Sequence, residues 1–161
     1  MNTYKNFLPK KIFKTLRDTM MGYYFPWYFN DYVNNPIDRK DFQFTFTFIK
    51  NGEPNCYGEW LDIINPVLKK IKYKKMNRIK ANLLTRTDKI IEHGYHTDQE
   101  KGTTGILYLD NSNGYTKFKN GKIVKSEENK YVEFNSTLEH TGSTCTDEQR
   151  RVVINFNYES N

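Results

Sequence analysis

The chain has 161 residues, enough for one domain with a substantial core, and no apolar run long enough to cross a membrane. Its formal net charge of +6 permits an acidic partner such as nucleic acid without establishing one. Two cysteines, Cys56 and Cys145, form no CxxC pair, which excludes a disulfide framework or a zinc ribbon and leaves two reduced thiols as the expectation. With no signal-peptide pattern at the start, a soluble cytoplasmic protein without a membrane partner is expected.

In chain order, "LPKKIFKTLRDTMM" carries apolar residues at Ile12, Phe13, Leu16, Met20 and Met21, the spacing of an amphipathic helix. "GYYFPWYFNDYV" follows, where Gly22 and Pro26 stop the helix and the rings predict a loop or short strand packed on the core. "DFQFTFTFIK" alternates with period two, so Phe42, Phe44, Phe46 and Phe48 share one face of a strand that ends at the Asn51-Gly52 turn. "GEWLDIINPVLKKIKYKK" predicts a second helix with Trp60, Ile63, Ile64, Val67, Leu68 and Ile71 as its apolar stripe. Pro66 breaks or kinks it near Asn65. The cations of "LKKIKYKKMNRIK" (68–80) read as a solvated helix face and turn.

Beyond residue 76 the period changes to that of short strands: "NRIKANLLTRT", "GTTGILYLD", "GYTKFKNGKIVK", "KYVEFNSTLEHTG" and "QRRVVINFNYE". Turn signals at Asp110–Gly114, Asn120-Gly121 and Glu127–Asn129 separate them. The pattern has no βαβ alternation. It predicts a mainly β domain with flanking helices, an antiparallel sandwich or jelly roll, with a helical part at about 1–75 packing on a β core at about 76–158.

Three histidines occur in the whole chain, and two lie in "IIEHGYHTDQE". If residues 96–98 are extended, His96 and Asp98 project from one face, whereas His93 is an odd number of residues away. The third, His140 in "STLEHTG", ends another predicted strand. Two histidines and a carboxylate form the facial triad that holds Fe(II) in non-haem oxygenases and leaves positions open for a chelating co-substrate and O₂. A dicarboxylate such as 2-oxoglutarate also needs a cation for its far carboxylate, and the next strand offers Arg150 and Arg151. Arg151 shares a face with Val153, Asn155 and Asn157, a set suited to a polar pocket mouth, and is preferred. If the apolar set of Val152, Ile154, Phe156 and Tyr158 points inward instead, Arg150 takes the role.

The order H-x-D, distal His, then Arg about ten residues on resembles the Fe(II)/2-oxoglutarate-dependent dioxygenases, in particular the prolyl 4-hydroxylase-like branch with its small phage forms. "HGYHTD", "TTGILYLDNSNGYTKF", "YVEFNSTLEHTG" and "RRVVINFNY" carry the resemblance over about residues 79–158. It implies a double-stranded β-helix of the cupin-like jelly-roll class. Fe(II) is then expected on His96, Asp98 and His140, with 2-oxoglutarate and O₂ as co-substrates and release of succinate and CO₂. The host cytoplasm is the setting if a phage encodes the chain. Members often place a hydroxyl or amide near the co-substrate. Asn82, Tyr108 and, beside Arg151, Asn155 are the candidates, although that tyrosine position also matches Leu107.

His93 is expected outside the ligand set as a surface or loop residue, while Thr116 and Phe118 suit either a pocket lining or core packing. Substrate contacts are expected from Tyr23–Tyr32, Asn34–Asp41 and Arg86–Gly94. The substrate itself stays open between a peptide, a small molecule and a nucleic acid, with peptidyl proline suggested by the resemblance. The competing readings are a cupin-like binding module without redox activity and, from the basic, ring-rich composition, a nucleic-acid-directed protein or oxygenase.

Overall fold

The computed structural model describes residues 1–34 and 41–160. Residues 35–40, the middle of the expected substrate loop at Asn34–Asp41, lie outside the described residues. The first elements are strand β1 (Asn2–Tyr4), helix α1 (Lys10–Met21), strands β2 (Tyr28–Asn30), β3 (Gln43–Lys50) and β4 (Glu53–Pro54), and helices α2 (Gly58–Asp62) and α3 (Asn65–Leu68). Seven strands follow: β5 (Lys75–Thr85), β6 (Thr103–Tyr108), β7 (Tyr115–Phe118), β8 (Ile123–Lys125), β9 (Tyr131–Asn135), β10 (His140–Gly142) and β11 (Arg150–Glu159).

The strands form two antiparallel sheets. The larger runs β1-β9-β6-β11-β5-β3-β2, with β4 paired to β3, and the smaller runs β10-β7-β8. This is a jelly roll, a double-stranded β-helix of mainly β composition with helices outside it. The first 75 residues therefore contribute more than helices, because β3 pairs with β5 inside the main sheet and β1 and β2 close its two edges. Among the described residues no helix is long and apolar enough to cross a membrane.

Alternation along β11 explains how the main sheet serves two layers. Val152, Ile154, Phe156 and Tyr158 are at most 1% exposed and face the helices. There they meet Phe13, Leu16 and Met20 of α1 and Phe46 and Phe48 of β3. Each such fully buried side chain contributes about 1.5–3 kcal/mol. The other face of β11 looks between the sheets, where Val153 joins Ile106, Tyr108, Phe118, Val124 and Phe134 in a second, smaller core. Polar neighbours on that face thus line an interior space rather than solvent.

Local chemistry accounts for the element ends. Asn51 and Gly52 have φ of 53° and 84°, the two positive values that a two-residue hairpin loop between β3 and β4 requires. Pro66 ends the expected single second helix, and the chain forms α2 and α3 instead. Ile64 and Val67 are fully buried across the break. "KYVEFNSTLEHTG", expected as one strand, divides into β9 and β10, one in each sheet. The ring-rich stretch is only partly packed: Phe25 is buried, whereas Tyr23 and Tyr24 are 94% and 86% exposed. Their expected burial is corrected because they stand at the turn after α1, beyond the reach of the sheet face.

Candidate functional site

Residues 96–98 are extended and run antiparallel to residues 136–140. His96 and His140 exchange both backbone hydrogen bonds at 3.0 Å, and the Asp98 N–H donates to the Ser136 carbonyl at 3.2 Å. This pairing puts the two imidazoles side by side with ring centroids 4.6 Å apart. Asp98, on the same face as His96, lies with Oδ1 3.9 Å from His96 Nε2 and Oδ2 3.6 Å from His140 Nε2. One ligand atom from each of the three residues lies within 4.8 Å of the others.

The donor set fits a divalent metal. His140 Nδ1 lies 3.0 Å from the Leu138 carbonyl and His96 Nδ1 lies 3.3 Å from that of Gly94, contacts that put the proton on Nδ1 and leave each Nε2 lone pair facing Asp98. The separations are too long for hydrogen bonds among the three groups. An ion bonded to all three would draw these atoms closer together than they stand here. Burial, and after it the His140 ring, lowers the pKa of His96 and favours the neutral ligand form.

A polar network fixes Asp98, whose side chain is 2% exposed. Thr104 donates to its Oδ2 at 2.7 Å, and Arg78 Nη2 lies 3.5 Å from Oδ1. Asn157 ties these two together. Its Nδ2 donates to Thr104 Oγ1 at 3.1 Å and its Oδ1 accepts from Arg78 Nε at 3.0 Å.

Between the sheets a cavity of about 360 Å³ opens beside the three ligands. Arg151 lines it, 3% exposed, donating to Ser126 Oγ at 2.7 Å and Thr116 Oγ1 at 3.2 Å. Among the described residues it has no carboxylate partner, and burial lowers its pKa. Arg150 points to the opposite face of β11 and donates to Met21 Sδ at 3.0 Å, so the cavity receives one arginine of the pair. Asn82, Asn155 and Thr116 also line the cavity. The register separates two of the expected neighbours, because Arg151 pairs with Leu84 whereas Asn155 pairs with Lys80, four residues along.

Tyr108 is buried beneath Arg151, its ring centroid 5.6 Å from the guanidinium, and its hydroxyl donates to Thr116 at 2.8 Å. Leu107 faces the helices in the main core. Phe118 packs in the smaller core against Phe134 and 5.9 Å from the His140 ring.

Three positions differ from the sequence reading. His93 is 7% exposed, not a surface residue, because β10 takes its backbone N–H on the Gly142 carbonyl. It lines the cavity with Nε2 lacking a partner and Nδ1 3.4 Å from Asp41. Burial pushes its pKa down. Arg78 and Lys80, read as part of a solvated basic cluster, face the cavity from β5. The period-two signal of "NRIKANLL" could have found them, since Arg78, Lys80 and Asn82 share one strand face.

No protein-family model matches the chain, and no curated protein matches it in sequence. Solved structures do match. A prolyl hydroxylase from Trichoplax adhaerens, in complex with a hypoxia inducible factor oxygen degradation domain peptide fragment, aligns over 98% of this chain and 83% of its own at 13% identity, with a TM-score of 0.66. A 2OG-Fe(II) oxygenase family oxidoreductase from Burkholderia pseudomallei aligns over 91% and 76% at 10% identity, with a TM-score of 0.62. A Pseudomonas putida prolyl-4-hydroxylase aligns over 99% and 92% at 14% identity, with a TM-score of 0.60. The chain shares the fold of these 2OG-Fe(II) oxygenase and prolyl hydroxylase structures.

Proposed function

We propose that the chain is an Fe(II)- and 2-oxoglutarate-dependent oxygenase that hydroxylates a substrate held at the cavity mouth, with release of succinate and CO₂. One observation carries this reading: three metal-ligand atoms converge beside a buried arginine that has no carboxylate partner among the described residues. His96, Asp98 and His140 hold Fe(II), which with O₂ supplies the oxidising power. Arg151 takes the far carboxylate of 2-oxoglutarate, and the Thr116 and Ser126 hydroxyls fix its guanidinium. Tyr108 supports Arg151 from below rather than entering the cavity. Asn82, between the levels of Arg151 and Lys80, offers its amide to the middle of the co-substrate. Arg150 has no part in it.

The neighbours that are prolyl hydroxylases support a peptidyl proline as the substrate. Tyr32, Val33, Asn34 and His93 at the cavity wall would meet it first. The free thiols Cys56 and Cys145 support a cytoplasmic setting.

Anaerobic addition of Fe(II) and 2-oxoglutarate should give a weak visible charge-transfer band, and O₂ should then give succinate above the protein-free blank. His96→Ala should remove the band and weaken Fe(II) binding by roughly two orders of magnitude or more. Absence of both band and succinate from the unmodified protein overturns the proposal. Unchanged iron affinity in His96→Ala overturns the ligand set.

A further inference from the structure

The cavity is over-supplied with positive charge. Among the described residues Arg78, Lys80 and Arg151 line it, against a single lining carboxylate, Asp98. Arg78 is already engaged by Asp98 and Asn157. In the oxygenase reading, on which this inference rests, Arg151 and the metal take the two carboxylates of 2-oxoglutarate. Lys80 remains, with no hydrogen-bond or ion-pair partner among the described residues. Burial, and then the nearby Arg78 charge, lowers its pKa to about 8, and the Asp98 carboxylate, which already faces Arg78, opposes them only in part.

Its surroundings are equally uncommitted. Asn155 is the register partner of Lys80 on β11. The Asn155 Oδ1 is buried without a partner, so no neighbour fixes which end of the carboxamide faces the cavity. Lys80 and Asn155 stand four residues from Leu84 and Arg151 on their strands, roughly 13 Å of extended chain. Lys80 is one pleat from Arg78, and so on the metal-ligand side of the cavity rather than at the Arg151 end.

We propose that Lys80, with the Asn155 amide, receives an acid group on the primary substrate, a carboxylate or a phosphate, and so selects anionic substrates. The ammonium supplies the charge and the carboxamide, turned to present Nδ2, supplies a second donor. The reactive carbon of the substrate is then held near the metal ligands while its acid group is anchored one pleat away.

The test uses protein loaded with Mn(II) and saturating 2-oxoglutarate, titrated calorimetrically with sulfate and separately with acetate, with dimethyl sulfone as the uncharged control. At least one anion should bind and the sulfone should not. Acetate binding marks a carboxylate site and sulfate binding a phosphate-type site. Lys80→Met should weaken that anion at least ~10-fold, Lys80→Arg should retain it, and 2-oxoglutarate affinity should change less than ~2-fold in both. Anion binding unaffected by Lys80→Met, equal binding of the sulfone, or no anion binding overturns the inference. A parallel fall in 2-oxoglutarate affinity also overturns it, by assigning Lys80 to the co-substrate. If unmodified protein does not bind 2-oxoglutarate, the oxygenase reading falls instead. The Lys80 site is then judged with Mn(II) alone, where loss in Lys80→Met but not in Arg151→Met supports it and the reverse overturns it.

Discussion

Asp98 makes the most of two oxygens. Oδ2 accepts from Thr104, Oδ1 faces Arg78, and both look toward the histidine Nε2 atoms. A carboxylate so held presents its remaining lone pairs to a metal in one orientation. Thr104→Val keeps the shape and removes the donor. Metal affinity should fall 10- to 100-fold, and the stranded Asn157 amide should cost about 1–3 kcal/mol of stability, with Thr104→Ser restoring most of both. Mn(II) titration and denaturant melts measure the two effects, and wild-type metal affinity in Thr104→Val would remove the residue from this role. At this scale the H-x-D spacing, the distal histidine and the arginine pair were readable, because each lies on a stretch whose backbone is extended. The supporting residues were not. Period two puts Arg78 and Lys80 on one strand face with Asn82, but only the pairing of strands distant in sequence turns that face toward the cavity and brings Thr104 and Arg78 to Asp98.

At the level of elements, β11 and the start of β7 build the Arg151 end of the cavity. Gly114, just before β7, is there because of close approach. A Cβ at this position would sit 2.5 Å from Arg151 Cδ and 2.8 Å from the Thr144 carbonyl oxygen. Gly114→Ala must therefore displace the guanidinium or the neighbouring backbone. It should lower 2-oxoglutarate affinity about 10-fold or more, cost about 1–3 kcal/mol in stability and leave Mn(II) affinity near the wild-type value. Ligand titration of the two components separately tests this, and a parallel loss of both would mean that the whole site has collapsed. Long elements such as α1, β5 and β11 were legible from their periods. β1, three residues long, has too little alternation to register, β2 was legible only as a loop or short strand without bounds, and "KYVEFNSTLEHTG" gave no sign that it changes sheets, since alternation continues across the corner.

For the whole molecule, the candidate ligands tie together distant parts of the chain. Residues 96–98 lead into β6 of the large sheet, His140 belongs to β10 of the small one, and Arg151 to the central β11. Metal and 2-oxoglutarate that bind only the folded state should stabilise it by about 2.7 kcal/mol at a hundredfold excess over Kd, roughly 5–10 °C in Tm for a chain of this size. Calorimetric scans with Mn(II) and 2-oxoglutarate should show that rise, and His140→Ala should lose it. No shift in the unmodified protein would contradict a site spanning both sheets.

By itself the sequence determined the mainly β class, an antiparallel sandwich or jelly roll, the face of β11 that is apolar and the order of the chemistry-bearing residues, because periodicity and turn chemistry are local properties written into neighbouring residues. Only the tertiary structure decided that Arg151 rather than Arg150 enters the cavity, that His93 is buried in its wall, and that Arg78 and Lys80 face inward. Those outcomes depend on which strand lies opposite which, and hydrogen bonding between segments far apart in the chain sets that.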